Sequence, residues 1–255
     1  MKKYNTYNKP IVIIIIALLF VCTVFFVAHF TSFTKISFLN IHNFAYKPTV
    51  LQKLLEQKIT TSQDFNEKKP KSKKELFLHK LVDAAIERTN HIVTYDPGYV
   101  EIEYPGGDVP DDKGVCTDVV IRAYRKLNID LQKEVHEDMK KNFTIYPKMW
   151  GLTEPDSSID HRRVPNLMTF FERKGEVLLV TNDSDDYSPG DIVVWKLGDW
   201  MTHIGIVIDK KLLFKDRFMV VHNIGAGPKA EDVLFNWEII GHYRYFGNTD
   251  LSKVD

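Results

Sequence analysis

The spacing of apolar and polar positions changes character along the chain. Residues 11–28 form an unbroken run without a charged side chain, four consecutive isoleucines among them. As a helix that run would measure about 27 Å, close to the hydrocarbon thickness of a bilayer. Residues 31–74 lose that density and read as a stalk, with a short amphipathic helix expected at 51–59. From Glu75 the pattern becomes globular. Leu76, Leu78, Leu81, Val82, Ala85 and Ile86 share one helical face that ends near Thr89. Tyr95-Asp96-Pro97-Gly98-Tyr99 is a turn, and residues 100–104 alternate as a short strand would. After a loop of glycines and prolines, Val119, Val120, Ala123, Tyr124 and Leu127 return to helical spacing. Residues 130–150 are expected as helix followed by loop, and 164–174 as a helix with Pro165 in its first turn. The last third changes period again. Runs at 191–195, 203–209, 218–223 and 239–246 are nearly all apolar, which suits central antiparallel strands covered on both faces. The pattern predicts an α+β domain, N-terminal helices packed on a central antiparallel sheet, preceded by one transmembrane helix.

Charge orients that picture. Lys2, Lys3 and Lys9 precede the apolar run, which places the N-terminus in the cytoplasm and everything after Phe30 outside. No small-x-small site follows, so an uncleaved signal-anchor is preferred to a cleaved signal peptide. Phe20 and Val21 are too bulky for a lipidated Cys22. The expected divisions are 1–30 for the N-terminus and anchor, 31–74 for the stalk, and 75–255 for the globular domain. Lys68, Lys69, Lys71, Lys73 and Lys74 close the stalk, as a solvated tether or as an adhesive for anionic lipid or wall polymer. The chain has 255 residues, 44% hydrophobic, enough for one well-cored domain with accessory segments. Its net charge is zero, so nothing global argues for nucleic acid. Cys22 lies in the apolar run, which leaves Cys116 as a lone thiol without a disulfide framework.

That thiol is the centre of the candidate chemistry. In Gly114-Val115-Cys116-Thr117-Asp118 it stands where the loop ends and a helix begins. The helix dipole and the free N–H groups there favour thiolate, the form that attacks carbonyls. A thiol nucleophile needs a base, and the base needs an orienting group. His203 opens one predicted strand and His222 nears the end of the next. Strands about 4.8 Å apart bring two such imidazoles together. Arg162 and Arg163 either clamp a peptide carboxylate or are a solvated helix start. Trp195 and Trp200 either wall a cleft or fill core. Asp183, Asp185 and Asp186 fit no standard calcium loop. His136-Glu137-Asp138 has no second ligand set at zinc spacing. No metal or cofactor is expected.

The order of these parts resembles NlpC-type cell-wall cysteine peptidases. Ser188-Pro189-Gly190-Asp191-Ile192-Val193 is similar to that family's strand before the catalytic histidine. Tyr104-Pro105-Gly106-Gly107 is similar to its Tyr-x-x-Gly-Gly segment, one residue shorter. Residues 76–246 more closely resemble the bacterial domain-of-unknown-function family 1287. The runs that carry this are Gly106-Gly107-Asp108-Val109-Pro110, the Cys116 run, Asp160-His161-Arg162-Arg163-Val164-Pro165-Asn166, and Val221-His222-Asn223-Ile224-Gly225-Ala226-Gly227. Val115 and Asp118 depart from the Asp and Gly that flank the Cys-Ser pair of the NlpC type.

The resemblance implies a papain-like fold and amide hydrolysis through a thioester, on peptide bonds of peptidoglycan. Cys116 would be the nucleophile and His203 its base, with His222, or alternatively Asn223, as orienter. The Cys116 N–H, helped by the Tyr104 hydroxyl, would hold the oxyanion. Asp160, Arg162, Arg163, Trp200 and Asp118 are the candidates for the substrate groove. The expected partners are stem peptides and the membrane, with the chain a monomer. Acyl or peptide transfer on the same fold, and a non-catalytic wall-binding module, are the alternatives.

Overall fold

A computed structural model describes residues 70, 72–199 and 201–247. The apolar run at 11–28, most of the stalk, and Trp200 lie outside them. Among the described residues no helix is long and apolar enough to cross a membrane.

The first helix, α1, spans Lys73–Arg88. Ser72 starts it, its hydroxyl oxygen accepting from the Glu75 N–H at 3.1 Å. Its buried side is Leu81, Val82, Ala84 and Ala85, as the periodicity predicts. Helix α2, Cys116–Lys126, is the most enclosed, with every residue from Cys116 to Tyr124 buried. Asp130 caps α3, Leu131–Asn142, by accepting from Gln132 and Lys133 N–H groups. Helix α4, Val164–Lys174, carries Pro165 in its first turn, where its missing N–H costs nothing.

Thr94–Tyr95 forms a two-residue strand, β1, parallel to β2, Lys113–Gly114. The main sheet has six strands: β3 (Glu176–Val177), β4 (Ile192–Lys196), β5 (Thr202–Lys211), β6 (Phe218–His222), β7 (Lys229–Glu231) and β8 (Glu238–Arg244). Their order is β3-β8-β4-β5-β6-β7, all antiparallel. The four long apolar runs are therefore the four central strands. Both faces of this sheet carry core. Ile192, Val194, Ile204, Ile206, Ile208 and Val221 face the helices. Val193, Trp195, Val207 and Val220 meet Tyr187, Val233 and Leu234 on the other side. Strict alternation of two apolar sets explains why these strands show no amphipathic signal.

Residues 100–104 form no strand. Their backbone groups go to side chains instead: Ile102 N–H donates to Ser158 Oγ at 3.2 Å, and Gln132 Nε2 donates to the Glu103 carbonyl at 2.8 Å. An alternating sequence with no neighbouring ladder is held as loop.

Candidate active site

Cys116 opens α2, as its position after the glycine loop predicts. Asp118 folds back to accept from the Val115 N–H at 2.7 Å, which fixes the helix start. Thr117 donates its hydroxyl to the Arg162 carbonyl at 3.0 Å. The sulfur lies beside the backbone N–H of Ile204, with those of Thr117 and Cys116 also close enough to favour its anion.

The expected thiolate is overturned. Cys116 is only 5% exposed, and burial pushes its thiol up to about 12. Loss of water costs the anion more than three N–H dipoles return, and the Asp118 charge adds to the cost. At neutral pH the group is S–H.

The two histidines do meet. His203 Nε2 and His222 Nδ1 are 2.8 Å apart, with the rings edge to face at 80°. Antiparallel register puts Trp195 opposite His203, and their rings stack with centroids 5.6 Å apart. Trp237 closes the box, 6.0 Å from His203 and 6.3 Å from His222. Burial holds both imidazoles neutral. His203 is lowered to about 3, first by desolvation and then by His222. His222 is also lowered by desolvation, against the pull of Glu231. Its Nε2 faces Glu231 Oε2 at 3.1 Å, a carboxylate whose side chain is 43% exposed.

Close approach of β5 and β6 depends on Gly205. A Cβ there would stand 2.7 Å from Val220 Cγ1 and 2.9 Å from the Val221 carbonyl oxygen. Alternation along β5 turns His203 to the Trp195 side and Ile204 to the helix side. The thiol adjoins the strand at the Ile204 amide, one residue along from His203. Among the described residues no hydrogen bond joins the sulfur to either ring.

The remaining expected residues separate into groups. Asn223 donates to the Gly114 carbonyl at 3.4 Å and accepts from Gly225 N–H. It ties the end of β6 to the loop before Cys116, and His222 is the residue that touches His203. Tyr104 meets His136 edge-on at 4.8 Å. The tyrosine paired beside the Cys116 run is Tyr95, opposite Gly114 and raised chiefly by burial.

Arg162 and Asp118 are not open to a ligand. They bond each other at 2.9 and 3.0 Å, with side chains 2% and 3% exposed. A polar run that reads as a solvated or substrate-facing helix start is in fact an interior ion pair. Asp160 is buried too and raised to about 6 by desolvation, its oxygens turned to the Asp156 N–H and Arg163. Arg163 lies over the Trp150 ring at 4.2 Å and is the partly exposed member of the run, its side chain 17% exposed. Trp195 fills core, its Nε1 donating to the Leu234 carbonyl at 2.9 Å.

Tyr95, Glu231 and Trp237 belong to the site and are not legible as such beforehand. Glu231 and Trp237 come from β7 and the segment before β8, where no long apolar run marks an element.

The family described as Domain of unknown function (DUF1287) matches residues 82–245. Uncharacterized protein YijF of Escherichia coli (strain K12) is 53% identical over 167 residues, covering 65% of this chain and 80% of that protein. NlpC1 from Trichomonas vaginalis aligns with a TM-score of 0.35 and 16% identity, over 66% of this chain and 44% of that one. This chain thus spans less than half of NlpC1, and an overlap of that size carries no argument. The profile match and the identity to YijF converge on one statement: the chain belongs to the Domain of unknown function (DUF1287) family.

Proposed function

We propose that this chain is a thiol hydrolase of amide bonds, with a papain-like arrangement of its reacting groups. It is tethered by residues 11–28 and acts outside the membrane on peptidoglycan peptides. One observation carries the reading: His203, bonded to His222 of β6, stands on β5 at the residue next to the amide that the Cys116 sulfur adjoins.

With both groups neutral, the proton moves at the moment of attack rather than in a standing ion pair. His203 Nε2 is occupied by His222, so Nδ1 is the nitrogen that takes the thiol proton. That requires His203 to donate from Nε2 to His222 Nδ1, and His222 to carry its own proton on Nε2, toward Glu231. The sulfur bonds to the carbonyl carbon and the C–N bond breaks. His203 returns the proton to the leaving amine. Water, deprotonated by His203, then attacks the thioester carbon, the C–S bond breaks, and the proton returns from His203 to the sulfur. The Cys116 N–H, at the helix start, is the donor for the developing oxyanion.

The test is purified peptidoglycan incubated with the native chain and with Cys116→Ala, the products read by mass spectrometry. Native protein is expected to release peptides with new carboxyl ends, and the variant none. Equal release by both sinks the proposal. Binding of wall sacculi without any release identifies a wall-binding module, and products joined to an added amine identify a transferase.

A further inference from the structure

The Asp118–Arg162 pair does more than neutralise two buried charges. Its guanidinium also donates to two backbone carbonyls, Asp96 and Gly98, each at 3.3 Å. Its partner carboxylate caps Val115, and the Arg162 carbonyl accepts from Thr117. One ion pair therefore ties together three pieces: the first turn of α2, the turn Asp160–Arg162, and residues 95–98.

Residues 95–98 have few other attachments. Tyr95 pairs with Gly114 in the two-residue β1–β2 ladder, and Asp96 N–H donates to the Gly114 carbonyl at 3.3 Å. The Asp96 carboxylate bonds Lys113, whose side chain is 45% exposed. The next residues, 99–103, belong to no strand. Among the described residues the Arg162 guanidinium is thus the buried side-chain anchor of this segment, and Tyr95 pairs with Gly114, two residues before Cys116.

We propose that Arg162 is a positioning residue that holds residues 95–98 as a strap beside Cys116, and that release of the strap admits substrate to the thiol. The geometry accounts for a sulfur that starts a helix behind a glycine loop and yet is closed off from water. It also gives the Asp160-His161-Arg162-Arg163 run a task that ligand binding does not explain. The inference rests on Cys116 being the reacting thiol of the proposed hydrolase.

Alkylation of Cys116 by iodoacetamide tests access whether or not the protein cleaves amides, so the two readings fail separately. The full chain is used with Cys22→Ser, native otherwise, and with Arg162→Lys or Tyr95→Ala added, from pH 7 to 10. Lysine keeps the charge facing Asp118 but loses the fork that spans Asp96 and Gly98. Tyr95→Ala leaves the ion pair intact. Both are expected to react about tenfold faster than the parent at every pH, as an opened local segment would. Hydrogen exchange at Val120 and Ala123, inside α2, reports global opening. Parent-like rates in Tyr95→Ala overturn the proposal. So does an Arg162→Lys gain that only matches its faster exchange at Val120 and Ala123.

Discussion

Two histidines stand on the same sheet, equally buried, and differ in what they are given to bond. His242 is saturated. Its Nδ1 meets the Leu179 carbonyl at 2.8 Å, its Nε2 meets Asp191 at 2.8 Å, and its ring stacks on Tyr187 at 4.3 Å. Asp191, fully buried, is shared with Arg244 and the Ser188 N–H. His203 bonds only a second imidazole, whose far nitrogen faces the partly exposed Glu231 carboxylate at 3.1 Å. A histidine with every atom satisfied and a carboxylate beside it is a joint between strands. One held neutral among tryptophans, with a nitrogen in reserve, is equipped to move a proton. Burial alone does not tell the two apart; the inventory of partners does.

Asp191→Ala breaks the saturated side of this comparison. It strands His242 and Arg244 without their anion and is expected to cost about 3–5 kcal/mol in urea denaturation. A loss below about 1 kcal/mol, the range of an ordinary surface change, would mean the network holds nothing together.

His203→Ala probes the other side. The urea midpoint is expected to fall by only about 1–2 kcal/mol, since the ring leaves no charged group unpaired. Release of peptidoglycan fragments should drop about 10²–10⁴-fold, the usual contribution of a proton-transferring side chain. A variant that cleaves at the native rate removes His203 from the chemistry.

Acid sharpens the contrast with the smallest effect. His203 and His161 are both lowered to about 3, each chiefly by desolvation, against an ordinary value of about 6.5. Between those two limits the unfolded chain binds protons that the folded chain refuses, so stability falls as pH drops from about 6.5. Asp160, raised to about 6, acts in the opposite sense between about 6 and the ordinary carboxylate value near 3.9. His222 and His136, also lowered by burial, act with the two histidines, and Asp209, raised by burial, acts with Asp160. Four groups oppose two, so the urea midpoint should decline from pH 7 to pH 4, and more steeply in Asp160→Asn. Further down, Asp138 adds to the loss. Burial pushes it up, but Arg173, Tyr146 and Lys174 hold it at about 2, a stabilisation that fades below the ordinary carboxylate range. A flat midpoint from pH 7 to pH 4 would show that the two histidines are not held neutral by the fold.

Much of the scaffold was readable from the chain, for physical reasons. The four apolar runs became the four central strands because an element covered on both faces cannot hide its character. Helices α1 and α2 announced themselves by periodicity, and α4 by Pro165 as well. The short strands β1, β2, β3 and β7 did not, since two or three residues hold no period. Within the site, His203 and His222 were legible because neighbouring runs of similar length must pair. The state of Cys116 was not, because the cost of removing water depends on what closes over the sulfur, and that is set by how distant segments pack. Arg162 was misjudged for a related reason. An arginine reads as solvated until a carboxylate 44 positions earlier is found facing it at 2.9 Å. The same distance along the chain hides Glu231 and Trp237, whose neighbours are set by topology and not by spacing.

Gly205 carries one more lesson. Since nothing bulkier than hydrogen fits there, the gap between the two imidazole rings is a property of how two ribbons nest. Drift in the surrounding side chains can alter polarity and shape around the rings without moving them apart. The proton route is thereby insulated from the rest of the interior, and one methyl group at that position would be enough to interrupt it.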